Sequence, residues 1–265
     1  MKRILFSAIA TVALSSTAFA ADLPARTYTK APPPVIAVPV HDWSGFYVGL
    51  NAGGERGTAD IVLVPGSSWT AANNAFLSTN GSLELRDTSF TGGAQAGANV
   101  QSGIVVFGLE GDFNYFGFKA SRSGMFTSAP PVSTAPYTQT EVVKADWLVT
   151  VRARLGVTSG MTLFYVTGGL AVADVKFAQG LSFIGGVNPV NTGSVSNTKT
   201  GWTVGGGAEW AATNNWSVKA EYLYADLGKV SFFSDDTLNP GTGFSLVHSA
   251  HLTANIARLG VNYRF

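Results

Sequence analysis

Cysteine is absent from the 265-residue chain. That excludes disulfides and thiolate metal sites, and it fits export without oxidative folding. Charge is scarce, with 12% of residues Asp, Glu, Lys or Arg. This is about half of the ~25% usual in soluble proteins, so much of the surface is expected to face something other than water. The formal net charge of +1 gives no electrostatic case for nucleic acid as a partner. Beyond the first twenty residues no apolar run is long enough for a spanning helix. No phosphate-binding loop or metal-ligand cluster occurs, and the polar loops carry no haem-ligand motif, so no metal and no cofactor are expected.

What is abundant is apolar residues, at 46%, with 31 glycines and 12% aromatics. The first twenty residues have the form of a secretory signal. Lys2 and Arg3 open it, residues 4–14 are a short apolar run, and Ala18-Phe19-Ala20 is a small-x-small cleavage site before Ala21. Residues 21–42 carry Pro24, Pro32, Pro33, Pro34 and Pro39 and read as an extended periplasmic linker. The remaining domain spans 43–265.

The last stretch sets the pattern for that domain. Phe265, Tyr263, Val261, Leu259 and Ala257 share one parity, and Arg264, Asn262, Gly260 and Arg258 share the other. Side chains alternate across a strand, so this is a ribbon with one apolar and one polar face. Similar ribbons are expected over 43–53, 90–100, 105–115, 147–157, 163–173, 202–210 and 216–224, which with 251–265 makes eight. The segment 163–173 is apolar on both parities and its faces stay open. Short turns (101–104, 158–162, 211–215) alternate with long connections (54–89, 117–146, 174–201, 228–250). That alternation predicts an all-β, eight-stranded, antiparallel up-and-down transmembrane β-barrel with short periplasmic turns and four long external loops.

A soluble barrel would put its apolar face inside. Here the polar parity holds the small and charged residues, and an eight-stranded interior is only wide enough for side chains to fill it. Large aromatics are therefore expected to face lipid, while closure satisfies every backbone donor and acceptor. Trp43, Trp210 and Trp216 are expected at the periplasmic interface and Trp147 and Trp202 at the external one, as two aromatic girdles. The inward parity collects Glu110, Asp112, Glu209 and Glu221 with Arg152, Arg154, Lys219 and Arg258. Isolated charges in a narrow lumen are costly, so an ion network plugging the lumen is expected, with a narrow polar conduit as the alternative.

Catalytic candidates are confined to His248-Ser249 and His251 near the outer rim, with Asp235 and Asp236 close only in sequence. A hydrolase needs base, nucleophile and orienting acid in reach of one another. A satisfied loop histidine is the simpler reading, so no enzyme is expected and no catalytic residue is assigned.

Four motifs carry a resemblance. Trp43-Ser44-Gly45-Phe46-Tyr47-Val48-Gly49, followed by Asn51 and Gly53-Gly54, resembles the opening strand of the small opacity-porin-like outer-membrane β-barrel surface proteins of alpha-class proteobacteria. Arg152-Ala153-Arg154-Leu155-Gly156, Trp216-Ser217-Val218-Lys219-Ala220-Glu221-Tyr222 and the closing Asn262-Tyr263-Arg264-Phe265 follow the same pattern, as does the proline-rich segment. The resemblance implies a barrel embedded in outer-membrane lipid and inserted by the barrel assembly machinery. That machinery reads the terminal strand, here Leu259, Val261, Tyr263 and Phe265. It also implies a surface-antigen or envelope-integrity role, with porin-like and haem-binding relatives. A receptor reading would use loop residues such as His248 and His251, with the external ligand unknown.

Overall fold

The computed structural model describes residues 41–127, 136–184, 190–238 and 240–265. The signal segment, and all of the proline-rich stretch except His41 and Asp42, lie outside the described residues.

Eight strands, β1 (Gly45–Pro65), β2 (Leu83–Ser102), β3 (Val105–Phe126), β4 (Tyr137–Ser159), β5 (Thr162–Phe183), β6 (Val190–Ala211), β7 (Trp216–Ser234) and β8 (Leu246–Arg264), each pair antiparallel with the next. β8 returns to β1 in a register running from Tyr47↔Arg264 to Pro65↔Leu246, which closes the barrel. In the lower half every strand is paired on both sides; farther out the β2–β3 ladder ends at Thr91↔Phe116 and the β6–β7 ladder at Trp202↔Asp226. Helix α1 (Ala71–Gly81) sits in the β1–β2 connection, and Thr70 caps it by accepting from the Asn73 amide.

The strands run 19–23 residues, about twice the 9–11 needed to span a membrane. At ~3.3 Å per residue and a tilt of ~40°, 20 residues rise roughly 50 Å, against an apolar band of about 25 Å. The sequence segments therefore lie inside longer strands, and much of each long connection is strand rather than loop. The strand ends on the external side, Pro65 and Leu83, Phe126 and Tyr137, Phe183 and Val190, Ser234 and Leu246, are still farther apart in sequence than those on the periplasmic side.

The reason is an inversion of polarity along the strand. In β1, Phe46, Val48 and Leu50 point outward and are exposed, while Tyr47 and Asn51 point inward. Farther out the same two faces swap character: Arg56 and Asp60 face outward and Ala59, Ile61 and Leu63 are buried inside. The lower half is built for lipid and the upper half for water, so the lipid-facing signal ends where the membrane does.

The interior is correspondingly layered. The charged residues fill the membrane level. Above them lies an apolar belt that includes Ala59, Ile61, Phe116, Phe118, Val143, Phe177, Leu227 and Leu252. Beneath the external connections, Leu63, Trp69, Leu77, Tyr137, Leu181 and Leu246 form a second cluster that α1 joins through Leu77. Register shifts fall at Tyr115/Phe118, Ala145/Leu148 and Asp226/Lys229. At the last, Gly228 takes φ 72° and β7 changes parity, so that Leu227 and Val230 are both inward. β5 places Leu163, Tyr165, Ala171 and Ala173 inside and Phe164, Val166 and Leu170 outside, which answers the question its two apolar parities left open.

Candidate functional site

Register alone brings the lumen charges together. Glu110 and Arg152 are direct partners across β3 and β4, Glu221 and Arg258 across β7 and β8, and Glu209 and Lys219 across β6 and β7. Directly opposed inward residues sit close enough for their side chains to meet.

Arg152 is fully buried, at 0% exposure, and holds three carboxylates at once. Its Nη2 donates to Glu110 Oε1 at 2.6 Å and Asp112 Oδ2 at 2.7 Å, its Nη1 to Glu221 Oε1 at 3.1 Å, and its Nε to Thr150 Oγ1 at 2.9 Å. Arg258 closes the other side, with Nε donating to Glu221 Oε2 at 2.8 Å and Nη2 to Asp112 Oδ2 at 3.0 Å. Lys219 Nζ donates to both oxygens of Glu110 at 2.8 Å. Three acids and three bases therefore cancel within one cluster.

A second cluster pairs Arg154 with Glu209, which also accepts from Ser217 Oγ at 2.5 Å and Asn262 Nδ2 at 2.8 Å. The Arg154 guanidinium lies 3.6 Å from the Tyr165 ring centroid. Two tyrosines bridge the clusters. Tyr47 donates to Glu110 Oε2 at 2.8 Å and receives Arg154 Nη1 at 3.4 Å, while Tyr165 donates to Glu221 Oε1 at 3.0 Å. Gln95 Nε2 donates to Asn262 Oδ1 at 2.6 Å, and Asn51 Nδ2 to Gln95 Oε1 at 3.2 Å. All eight strands contribute a side chain, so the network staples the barrel to itself across its diameter. Buried ions cost several kcal/mol each to desolvate, and only full pairing and hydrogen bonding repay this.

Charge parity finds the eight ionic residues but not their neutral partners. Tyr47, Asn51, Gln95, Thr150, Ser217 and Asn262 all lie on the same inward parity, which was the available signal. Tyr165 is on the strand whose faces the pattern left open.

The tryptophans divide. Trp202, Trp210 and Trp216 stand on the outer face, about half exposed, and Trp147 lies against Phe113 on that face with ring centroids 6.3 Å apart. Trp43 does not join them. It is 1% exposed and packs with Val106, Leu163, Tyr165 and Ala211 in the periplasmic mouth, with the Arg264 guanidinium 5.3 Å from its ring. Its assignment to the periplasmic girdle is therefore corrected. Trp43 shares the odd, inward parity of Tyr47, and Gly45 at φ 121° turns the chain into the mouth. On β8, Leu259, Val261 and Phe265 are exposed on the outer face, and Tyr263 packs on Trp216 there at 5.1 Å.

The histidines do not form a shared site. His248 and His251 are residues of β8, not of a loop, and face opposite ways. His248 is buried inside, with Nε2 3.0 Å from Ser234 Oγ and its ring stacked on Phe232 at 4.8 Å. Burial pushes its imidazole down to about 4. His251 sits on the outer wall, 2.9 Å from Asp226 Oδ1. His248 and Ser249 likewise point to opposite faces, so the receptor and hydrolase arrangements built on these residues are not assembled. Glu141, inside the external half, takes a hydrogen bond from Gln139 Nε2 at 2.8 Å, and burial pushes its carboxyl up to about 7.

Comparison with known proteins agrees with this architecture. The family model for the outer membrane protein β-barrel domain matches residues 6–265. The 31 kDa outer-membrane immunogenic protein of Brucella melitensis is 35% identical over 267 residues, covering 100% of both chains. The 25 kDa outer-membrane immunogenic protein of Brucella abortus is 29% identical over 265 residues, covering 100% of this chain and 99% of that one. The 22 kDa outer membrane protein of Rhizobium leguminosarum is 30% identical over 176 residues, 66% of each chain. A lipid-facing, eight-stranded barrel with a family match along nearly its whole length leaves one conclusion: the chain is an outer-membrane protein of Gram-negative type and belongs to the outer membrane protein β-barrel domain family.

Proposed function

We propose that this barrel is a closed structural and surface-interaction element of the cell envelope rather than a conduit. The observation that carries the reading is Arg152, which lies at 0% exposure with three carboxylates around it at membrane level. A solute path would have to displace a side chain held by charge-assisted bonds to three carboxylates on two other strands, β3 and β7. The apolar belt and the cluster above it support the same reading, since the buried rings of Phe116, Phe118 and Phe177 stand between the network and the external rim. In this reading the leader is removed after Ala20, the barrel assembly machinery reads the outer face of β8, and the external half is the surface met from outside. The Brucella relatives are named immunogenic outer-membrane proteins, which supports a surface-exposed role for that half.

Liposome swelling tests the proposal. Vesicles carrying the refolded barrel should swell in isotonic pentose no faster than empty vesicles. Swelling at a rate proportional to protein content would replace the closed barrel with the small-solute channel.

A further inference from the structure

Three lysines stand in one row on the outer wall. Lys119 of β3 is paired directly with Lys144 of β4, and Lys144 directly with Lys176 of β5. Like charges in directly opposed positions destabilise a sheet, so two such pairs in succession need a compensating anion. The protein supplies it at one end only. Asp146 and Asp174, on the membrane side, both take Lys176, at 2.5 and 3.4 Å, and Ser196 Oγ donates to Asp174 Oδ1 at 3.3 Å. Asp87 is committed to the main-chain NH of Lys119 at 3.0 Å. The ammonium groups of Lys119 and Lys144 have no partner among the described residues.

The row also borders a groove of about 400 Å³, lined by Lys144, Lys176, Ser194 and Ser196 over a floor that includes Val142 and Ala178. This is within the size of ordinary small-ligand sites. Its height is informative. Lys119 lies four residues beyond Tyr115 and Lys144 three before Trp147, both aromatics of the outer face. At ~3.3 Å per residue and ~40° tilt, the two lysines stand roughly 8–10 Å above the aromatic belt. Interface aromatics mark the headgroup level, so the row and its groove stand where headgroup anions of the outer leaflet project.

We propose that Lys119, Lys144 and Lys176, with the adjoining groove, form a binding site for the phosphate-bearing headgroup of an outer-leaflet glycolipid. The site rests on the outer-membrane placement of the barrel and is independent of whether the lumen is closed. The lysines act as point charges toward phosphate, and Ser194 offers a hydroxyl beside them.

The test is native mass spectrometry of the detergent-purified full barrel titrated with bis-phosphorylated lipid A, and with the same lipid after dephosphorylation. The expected result is a one-to-one adduct with the phosphorylated lipid only. Binding should weaken at least tenfold in Lys144→Gln and further in the Lys119→Gln/Lys144→Gln pair, be retained in Lys144→Arg, and be unchanged in Lys229→Gln on the far wall. Heat-modifiable migration verifies that each variant is folded. Equal binding of the dephosphorylated lipid would overturn the proposal, since the acyl chains alone would then suffice. So would equal weakening by Lys229→Gln, or displacement of the lipid by millimolar inorganic phosphate.

Discussion

Replacing Arg152 by Met isolates what the lumen network contributes. The guanidinium makes contacts of 2.6, 2.7 and 3.1 Å with Glu110, Asp112 and Glu221. Hydrogen bonds to charged groups contribute about 1.5–3 kcal/mol each. Part of that loss is recovered because Lys219 still reaches Glu110, and Arg258 still reaches Asp112 and Glu221. Three carboxylates would then face two cations, all of them buried from bulk solvent. Removing one member of a buried ion set costs roughly 3–5 kcal/mol, and R152M is expected to fall in that range. The penalty comes chiefly from the stranded charge, so neutralising one acid should relieve it. The R152M/E110Q double variant should regain about 2 kcal/mol over R152M, a coupling that a double-mutant cycle reads directly. The assay is urea unfolding in detergent micelles, followed by tryptophan fluorescence, with an unchanged slope marking a change of stability rather than of compactness. A loss under about 1 kcal/mol for R152M, or a double variant no more stable than the single, would mean that the lumen is hydrated and its charges are not locked.

Four further outcomes follow from the same structure. Glu141 keeps its proton up to about pH 7 when folded, against a usual value of 4.5. Stability should therefore fall by roughly 3 kcal/mol as pH rises from 4.5 to 7 and stay lower above that. Urea midpoints of E141Q should exceed wild type at pH 8 and match it at pH 4. His248 works in the opposite direction. Its folded value of about 4 lies below the usual 6.5, so stability is lost as pH falls through that window, and H248F should remove the loss in an acid titration of the unfolding midpoint. Trp43→Ala should cost about 3–5 kcal/mol as a buried aromatic truncation, against well under half of that for Trp210→Ala. Brominated lipid should quench the emission of Trp210 but not that of Trp43. A Cβ added at Gly169 would lie 2.1 Å from the Val151 carbonyl oxygen, so G169A should push β4 and β5 apart and cost more than about 2 kcal/mol, seen as a lowered urea midpoint.

Parity carried most of what the chain reveals on reading. Along β4, Val149 and Val151 against Thr150, Arg152 and Arg154 fixes which way the strand faces, and the opposed charges on β3, β7 and β8 follow from the same count. The pattern failed where its physical basis changed. Beyond Leu50 and Ala52, the outward residues of β1 become Arg56, Thr58 and Asp60, and the apolar ones turn inward as Ala59, Ile61 and Leu63. A polar-outside strand and a polar loop look alike in composition, so the external half read as loop. Trp43 has a residue type that suggests an interface, while its parity, the better guide, points inside, where it is buried. β5 hid Tyr165 because lipid on one side and the packed mouth on the other both select apolar residues. The lysine row lies on three strands far apart in sequence, and only the register that sets Lys119 against Lys144 and Lys144 against Lys176 makes it visible.

Ion conductance of the refolded barrel in a planar bilayer tests the closed lumen most directly. With Arg152, Arg258 and Lys219 locked among Glu110, Asp112 and Glu221 at membrane level, single insertions should give no steady current above the bare membrane at moderate voltage. R152A should introduce small, flickering openings. A stable, long-lived open level in the unmodified protein would contradict the account.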